Sequence, residues 1–206
     1  MNIVARAKNV LFSPKTEWPI IGAEPTTTGQ LMTYAAILSG IAALCGLIGS
    51  WLTLGAMSSM LGTPTITPGF LITQTIIGWI VGLVVLFLMS LIASALAPSF
   101  GGTKDNLQGL KLLVYAGTAV WVAGFLGVIP GIGFLVMLVG YAYAIYLIYL
   151  GAPHTMRVPD NKAGGYAAVV VIIWIVLIIA LSYVVALVTA PLAGGAITGA
   201  VPASTY

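Results

Sequence analysis

The sequence predicts an all-α integral membrane protein with five transmembrane helices, its N-terminus cytoplasmic and its C-terminus outside. Three observations lead there. The residues are 60% hydrophobic and only 5% charged, with a mean hydropathy of +1.13, whereas soluble domains are nearer half apolar with about a quarter charged. Five apolar runs are each long enough, at about 1.5 Å rise per residue, to cross a hydrocarbon core of about 30 Å. With a cytoplasmic N-terminus and five crossings, all seven lysines and arginines fall on the cytoplasmic side, as the positive-inside bias requires.

Three segments follow: a cytoplasmic amphipathic stretch and linker at 1–30, a five-helix transmembrane domain at 31–190, and a flexible non-cytoplasmic tail at 191–206. In the first, Ile3, Val4, Ala7, Val10 and Leu11 share one helical face, with Arg6 and Lys8 off it. Such a helix suits the membrane surface; Phe12 lies outside the stripe. Residues 13–30 carry Pro14, Pro19 and Pro25 and read as a structured linker rather than a long helix. Trp18 there is of the type that anchors at a membrane interface. The run after Arg6 and Lys8 is broken by Ser13-Pro14-Lys15, so no cleavable signal peptide is expected.

Span 1, at 31–54, is uncharged and rich in small residues at four-residue spacing, including Gly40 and Gly46. Small residues let helices approach closely in lipid, so span 1 is expected at the centre of the bundle. An uncharged loop follows at 55–69. Span 2, at 70–97, contains the pair Gly78 and Gly82, a second candidate packing site. After a polar loop with Lys104, Asp105 and Lys111 come spans 3 and 4, at 112–129 and 132–150, parted by Pro130-Gly131. As one helix, 109–150 would run about 60 Å, twice the hydrocarbon thickness, so a hairpin is expected. Span 5, at 166–190, has few small residues and belongs on the lipid-facing outside.

Between spans 4 and 5, residues 151–166 hold the chain's single histidine, His154, with Pro153, Arg157, Pro159, Asp160 and Lys162. Charge this scarce is placed where the chain meets water, so this loop reads as a working surface. Catalysis is not expected. A zinc-protease helix needs two histidines, an intramembrane aspartyl site needs two carboxylates within spans, and His154 with Asp160 is short of ligands for a metal. No cofactor and no nucleic-acid partner is expected, since the seven basic residues form no dense cluster. Thr73, Gln74, Thr75, Ser90, Ser94, Thr118 and Ser182 are the polar groups inside spans; they suit helix–helix hydrogen bonds, at about 0.6 kcal/mol each, or a polar pathway.

The stretches LFSPKTEW (11–18) and YLGAPHTMRVPDNKAGGY (149–166), around five spans, resemble the Yip1 domain family in its prokaryotic form. The resemblance implies a five-helix fold with a cytoplasmic N-terminus and a non-catalytic membrane role. Eukaryotic members are implied to bind prenylated Rab GTPases and one another in vesicle formation. The present sequence shows neither their long polar N-terminal region nor their Asp-Leu-Tyr-Gly-Pro motif, so Rab binding is not carried over. The leading expectation is a non-enzymatic, multi-pass protein of the cell (inner or plasma) membrane. It would organise membrane lipid or dock a membrane-protein or peripheral partner through Glu17, Lys104, Pro153, Arg157, Pro159, Asp160 and Lys162. The alternative is a small transporter or channel for a neutral solute. Homo-oligomerisation through small-residue faces is compatible with either.

Overall fold

A computed structural model describes residues 2–62, 65–129, 132–193 and 197–198. Two short helices, α1 (Ile3–Phe12) and α2 (Pro14–Ala23), precede five long ones: α3 (Thr28–Leu61), α4 (Pro68–Leu96), α5 (Asn106–Phe125), α6 (Gly133–Thr155) and α7 (Asp160–Ala193). All five long helices are long and apolar enough to cross a membrane. Short 3₁₀ turns at Ala97–Phe100 and Leu126–Val128 follow α4 and α5. The α5–α6 hairpin forms as length demanded; Pro130 and Gly131 lie outside the described residues.

The expected linker at 13–30 is largely helical. Pro14 sits at the first position of α2, where its missing N–H costs nothing and its fixed φ favours the helix. Pro19 lies inside α2. It removes the N–H that would bond the carbonyl of Lys15, and both residues are exposed, so water can satisfy that oxygen. α3 begins before the expected span, with a capping box in which Thr27 and Gln30 bond each other's backbone N–H groups at 3.2 and 3.1 Å. It runs seven residues beyond the expected end, because 55–61 holds no proline and only one glycine, and stops where Gly62 adopts φ 62°. Thr65–Ile66, just ahead of α4, pairs antiparallel with Ile197–Thr198, past α7. The remaining residues of the expected flexible tail, past α7, lie outside the described residues.

The centre of the bundle is α5, not the first span. Residues Gly109–Ala116, Thr118 and Ala119 are all buried, and α5 packs on α3, α4 and α6. Small residues earn this place only where backbones actually cross. A Cβ on Gly109 would sit 2.6 Å from the Ser90 carbonyl oxygen of α4, and one on Gly140 would sit 2.6 Å from Cβ of Ala123. A Cβ on Gly49 would overlap the carbonyl oxygen of Gly127. Among the glycines expected to pack, Gly40 lies beside the Trp79 indole, whose Nε1 donates to Ser39 Oγ at 3.0 Å. Gly46, Gly78 and Gly82 have open space where a Cβ would stand. Gly46 still lies against a neighbour through its backbone, since a Cβ on Gly127 would meet its Cα at 3.9 Å. α7 lies outermost, as expected: only 6% of its apolar window is buried. It is tied to α4 by Tyr166 Oη donating to the Ala93 carbonyl at 2.9 Å and by Gln74 Nε2 donating to Thr189 Oγ1 at 2.9 Å.

Gly49→Ala is expected to lower stability by roughly 1–3 kcal/mol through overpacking, and Gly46→Ala to leave it unchanged. Melting of the two purified variants in one detergent checks this; equal melting temperatures would contradict the crossing at Gly49.

Candidate functional site

The polar residues of the spans that matter most lie on one face of α5. Gln108, Lys111, Tyr115 and Thr118 recur at helical spacing. Lys111, expected at the mouth of a span, is 2% exposed. Its ammonium donates to the carbonyls of Ile21 at 2.9 Å and Glu24 at 2.7 Å, and Gln108 Nε2 donates to the Gly22 carbonyl at 3.0 Å. These are carbonyls at and just past the C-terminus of α2, which no intrahelical N–H can reach. A cation there is also favoured by the helix dipole.

Arg6 of α1 completes the arrangement. It pairs with Glu17 of α2 through Nη1 and with Glu24 through Nη2, and its guanidinium lies 5.5 Å from the centre of the Tyr115 ring. Tyr34 meets Tyr115 edge-on, with centroids 5.3 Å apart, and shares a 2.9 Å hydrogen bond with Thr118. Tyr143 Oη of α6 donates to the Leu11 carbonyl at the end of α1, at 2.7 Å. Two sequence expectations therefore change. The apolar stripe of α1 packs on the bundle, with Ala7 and Val10 buried and Ile3 and Leu11 against the core, while Val4 and Phe12 are 77% and 80% exposed. Trp18 is no interfacial anchor; it is 1% exposed, and a Cβ on Gly151 would meet its ring at 2.8 Å.

The expected loop at 151–166 shrinks to four residues, 156–159. α6 continues through Pro153 to Thr155, and α7 starts at Asp160. Pro153 is tolerated because the carbonyl it deprives belongs to Tyr149, which is exposed. Arg157 is the single described non-glycine residue with positive φ, at 54°. It sits just past the C-cap of α6, a left-handed position that glycine usually takes and that costs another residue roughly 1 kcal/mol. The loop rests on that of 101–105: Thr103 N–H donates to the Met156 carbonyl at 2.8 Å, and a Cβ on Gly102 would meet the same oxygen at 2.5 Å.

Of the residues expected to dock a partner, Lys104, Arg157, Pro159, Asp160 and Lys162 are exposed and Pro153 is half-buried. Glu17 is not on that surface: it is 6% exposed and holds Arg6. Asp160 opens α7, where a carboxylate suits the helix N-terminus. Asp105 accepts from the N–H groups of Leu107 and Gln108 at 2.9 and 3.0 Å, capping α5. Two clefts open at this end of the molecule. One of about 340 Å³ is walled by Asn2, Arg6, Asn9, Glu17, Glu24 and Gln30. The other, of about 280 Å³, brings together Thr103, Lys104, Asp105, Gln108, His154 and Arg157. Of the polar groups deeper in the spans, Thr73, Thr75 and Ser90 donate to helix carbonyls at 2.9, 2.8 and 2.6 Å, whereas the buried Ser94 hydroxyl meets no partner among the described residues.

Because α3, α5 and α7 begin where α4 and α6 end, all seven basic residues gather at one end of the bundle. The molecule is thus a five-helix membrane protein with one polar, basic end and a helical cap locked onto it. Residues 8–184 match the model of the Yip1 domain, and the chain belongs to that family. No curated protein and no solved structure matches it.

Arg6→Ala strips a partner from Glu17, whose side chain is 8% exposed. Removing one member of a buried pair costs roughly 3–5 kcal/mol, and Glu17→Gln in the same chain should recover part of it. Thermal melting of the single and double variants measures both; a single variant as stable as wild type would show that the pairing does not hold the cap.

Proposed function

We propose that the chain is a non-enzymatic membrane-organising protein. Its basic end lies in the cytoplasm at the cell membrane and engages anionic headgroups or an acidic partner through Lys104, Arg157 and Lys162. The positive-inside bias supports the orientation. The observation that carries the reading is the division of the cations. Arg6 and Lys111 are consumed inside the fold by carboxylates and carbonyls. Lys104, Arg157 and Lys162 are exposed and make no ion pair among the described residues. They are nevertheless mounted on rigid backbone, between the 3₁₀ turn after α4, the cap of α5 and the start of α7. Each basic residue near an anionic surface contributes about 1 kcal/mol of attraction, and a fixed loop loses little entropy on docking.

Extraction into lipid nanodiscs, with wild type beside the Arg157→Glu, Lys162→Glu double variant, tests the reading by identifying what travels with each. Anionic lipid or a protein that follows wild type and leaves an equally stable variant supports it. Identical companions for both would overturn it.

A further inference from the structure

Resting on that reading, we propose that the 280 Å³ cleft between the loops of 101–105 and 156–159 is a phosphate-binding pocket. Three observations meet there. First, Lys104, Arg157 and His154 line the same cleft, although they come from the approach to α5, the stop after α6 and the last turn of α6. None of the three is held by an ion pair among the described residues. The one carboxylate in the lining, Asp105, has an oxygen engaged by two N–H groups at the start of α5, so it opposes the two fixed cations with its charge already drawn toward the helix.

Second, the walls are built rather than left by loose loops. The carbonyl of Gly22, another lining residue, is held by Gln108 Nε2 at 3.0 Å, and a Cβ on Gly22 would stand 2.5 Å from the His154 carbonyl oxygen. The Thr103 N–H bond to the Met156 carbonyl fixes the opposite rim. The volume falls just under the range of about 300–1,000 Å³ that encloses drug-sized ligands, which suits a headgroup-sized anion.

Third, the chain sets an arginine, not a glycine, at the left-handed stop of α6. Backbone strain of this kind persists where the side chain it delivers has a use. Here it sets Arg157, whose planar guanidinium has forked donors that match phosphate oxygens, in the lining of the cleft that Lys104 also lines. The recognised group is a phosphate ester, either on a lipid headgroup or on a small soluble molecule.

The test uses the full chain and three variants: Lys104→Gln, Arg157→Gly, and Lys15→Gln on α2 outside the pocket. Glycerol 3-phosphate is titrated into the detergent-purified protein by calorimetry. In parallel, native mass spectrometry follows phosphatidylglycerol retained from nanodiscs of phosphatidylglycerol and phosphatidylcholine. Saturable binding of either probe is expected, weakened at least ten-fold by Lys104→Gln and by Arg157→Gly and unchanged by Lys15→Gln. Arg157→Gly should at the same time raise the melting temperature, since it relieves the backbone while removing the ligand group. Binding of the soluble probe alone assigns the site to a free phosphate ester; binding of the lipid alone assigns it to a headgroup. Binding of neither, or equal binding by all four proteins, overturns the pocket. A pocket that fails while the charge-reversed variant still loses its companions leaves the docking surface standing. Phosphate binding with unchanged companions does the reverse.

Discussion

The ammonium of Lys111, shut away from water on α5, is the interaction on which the polar end depends. A buried charge is tolerated only when its donors are matched, and here the match comes from the carbonyls of Ile21 and Glu24. The C-terminus of a short helix and a lysine at the head of the central span each have something the other lacks. α2 leaves carbonyls without N–H partners, and α5 offers Lys111 and Gln108 one turn apart to meet them. This contact fixes α2 on the bundle. Glu17 and Glu24 are thereby placed where Arg6 can bridge them, and Arg6 in turn holds α1.

The consequence is a division of labour among few charges. Arg6, Glu17 and Glu24, within the cap, are paired with one another, so the cap buries its apolar stripe against the bundle instead of floating on lipid. Those outside it, at Lys104, Arg157 and Lys162, are left to face whatever approaches this end. Such an arrangement leaves the exposed cations outside the contacts that hold the core, whereas Arg6 and Lys111 are part of them. It also locates the polar chemistry at one end of the spans, since Thr118, Ser90 and Gln74 find partners within the bundle.

The five helices and their order were legible because long apolar runs and clustered basic residues report membrane solvation directly. Family membership was legible in the stretches around Glu17 and Arg157. Less could be read where tertiary contacts decide. Gly78 and Gly82 have packing spacing but face outward, whereas Gly49, Gly109 and Gly140 meet backbone or side chains across helices; spacing alone does not say which face is turned inward. The proline-rich stretch of 13–30 hid a helix because Pro14 occupies a first-turn position and the carbonyl opposite Pro19 reaches water. The stripe of Gln108, Lys111, Tyr115 and Thr118 was a signal in plain view, polar residues at helical spacing along one span, and it marks the helix that became the centre.

The central claim is that α1 and α2 are a folded cap of the bundle rather than a helix resting on the membrane. Hydrogen exchange of the wild-type protein in nanodiscs, resolved by peptide, tests it most directly. Amides of Ile3–Phe12 should be protected for minutes or longer and open together with those of Pro14–Ala23, because one set of buried charges holds both. Exchange of Ile3–Phe12 within seconds, while α5 stays protected, would contradict the account.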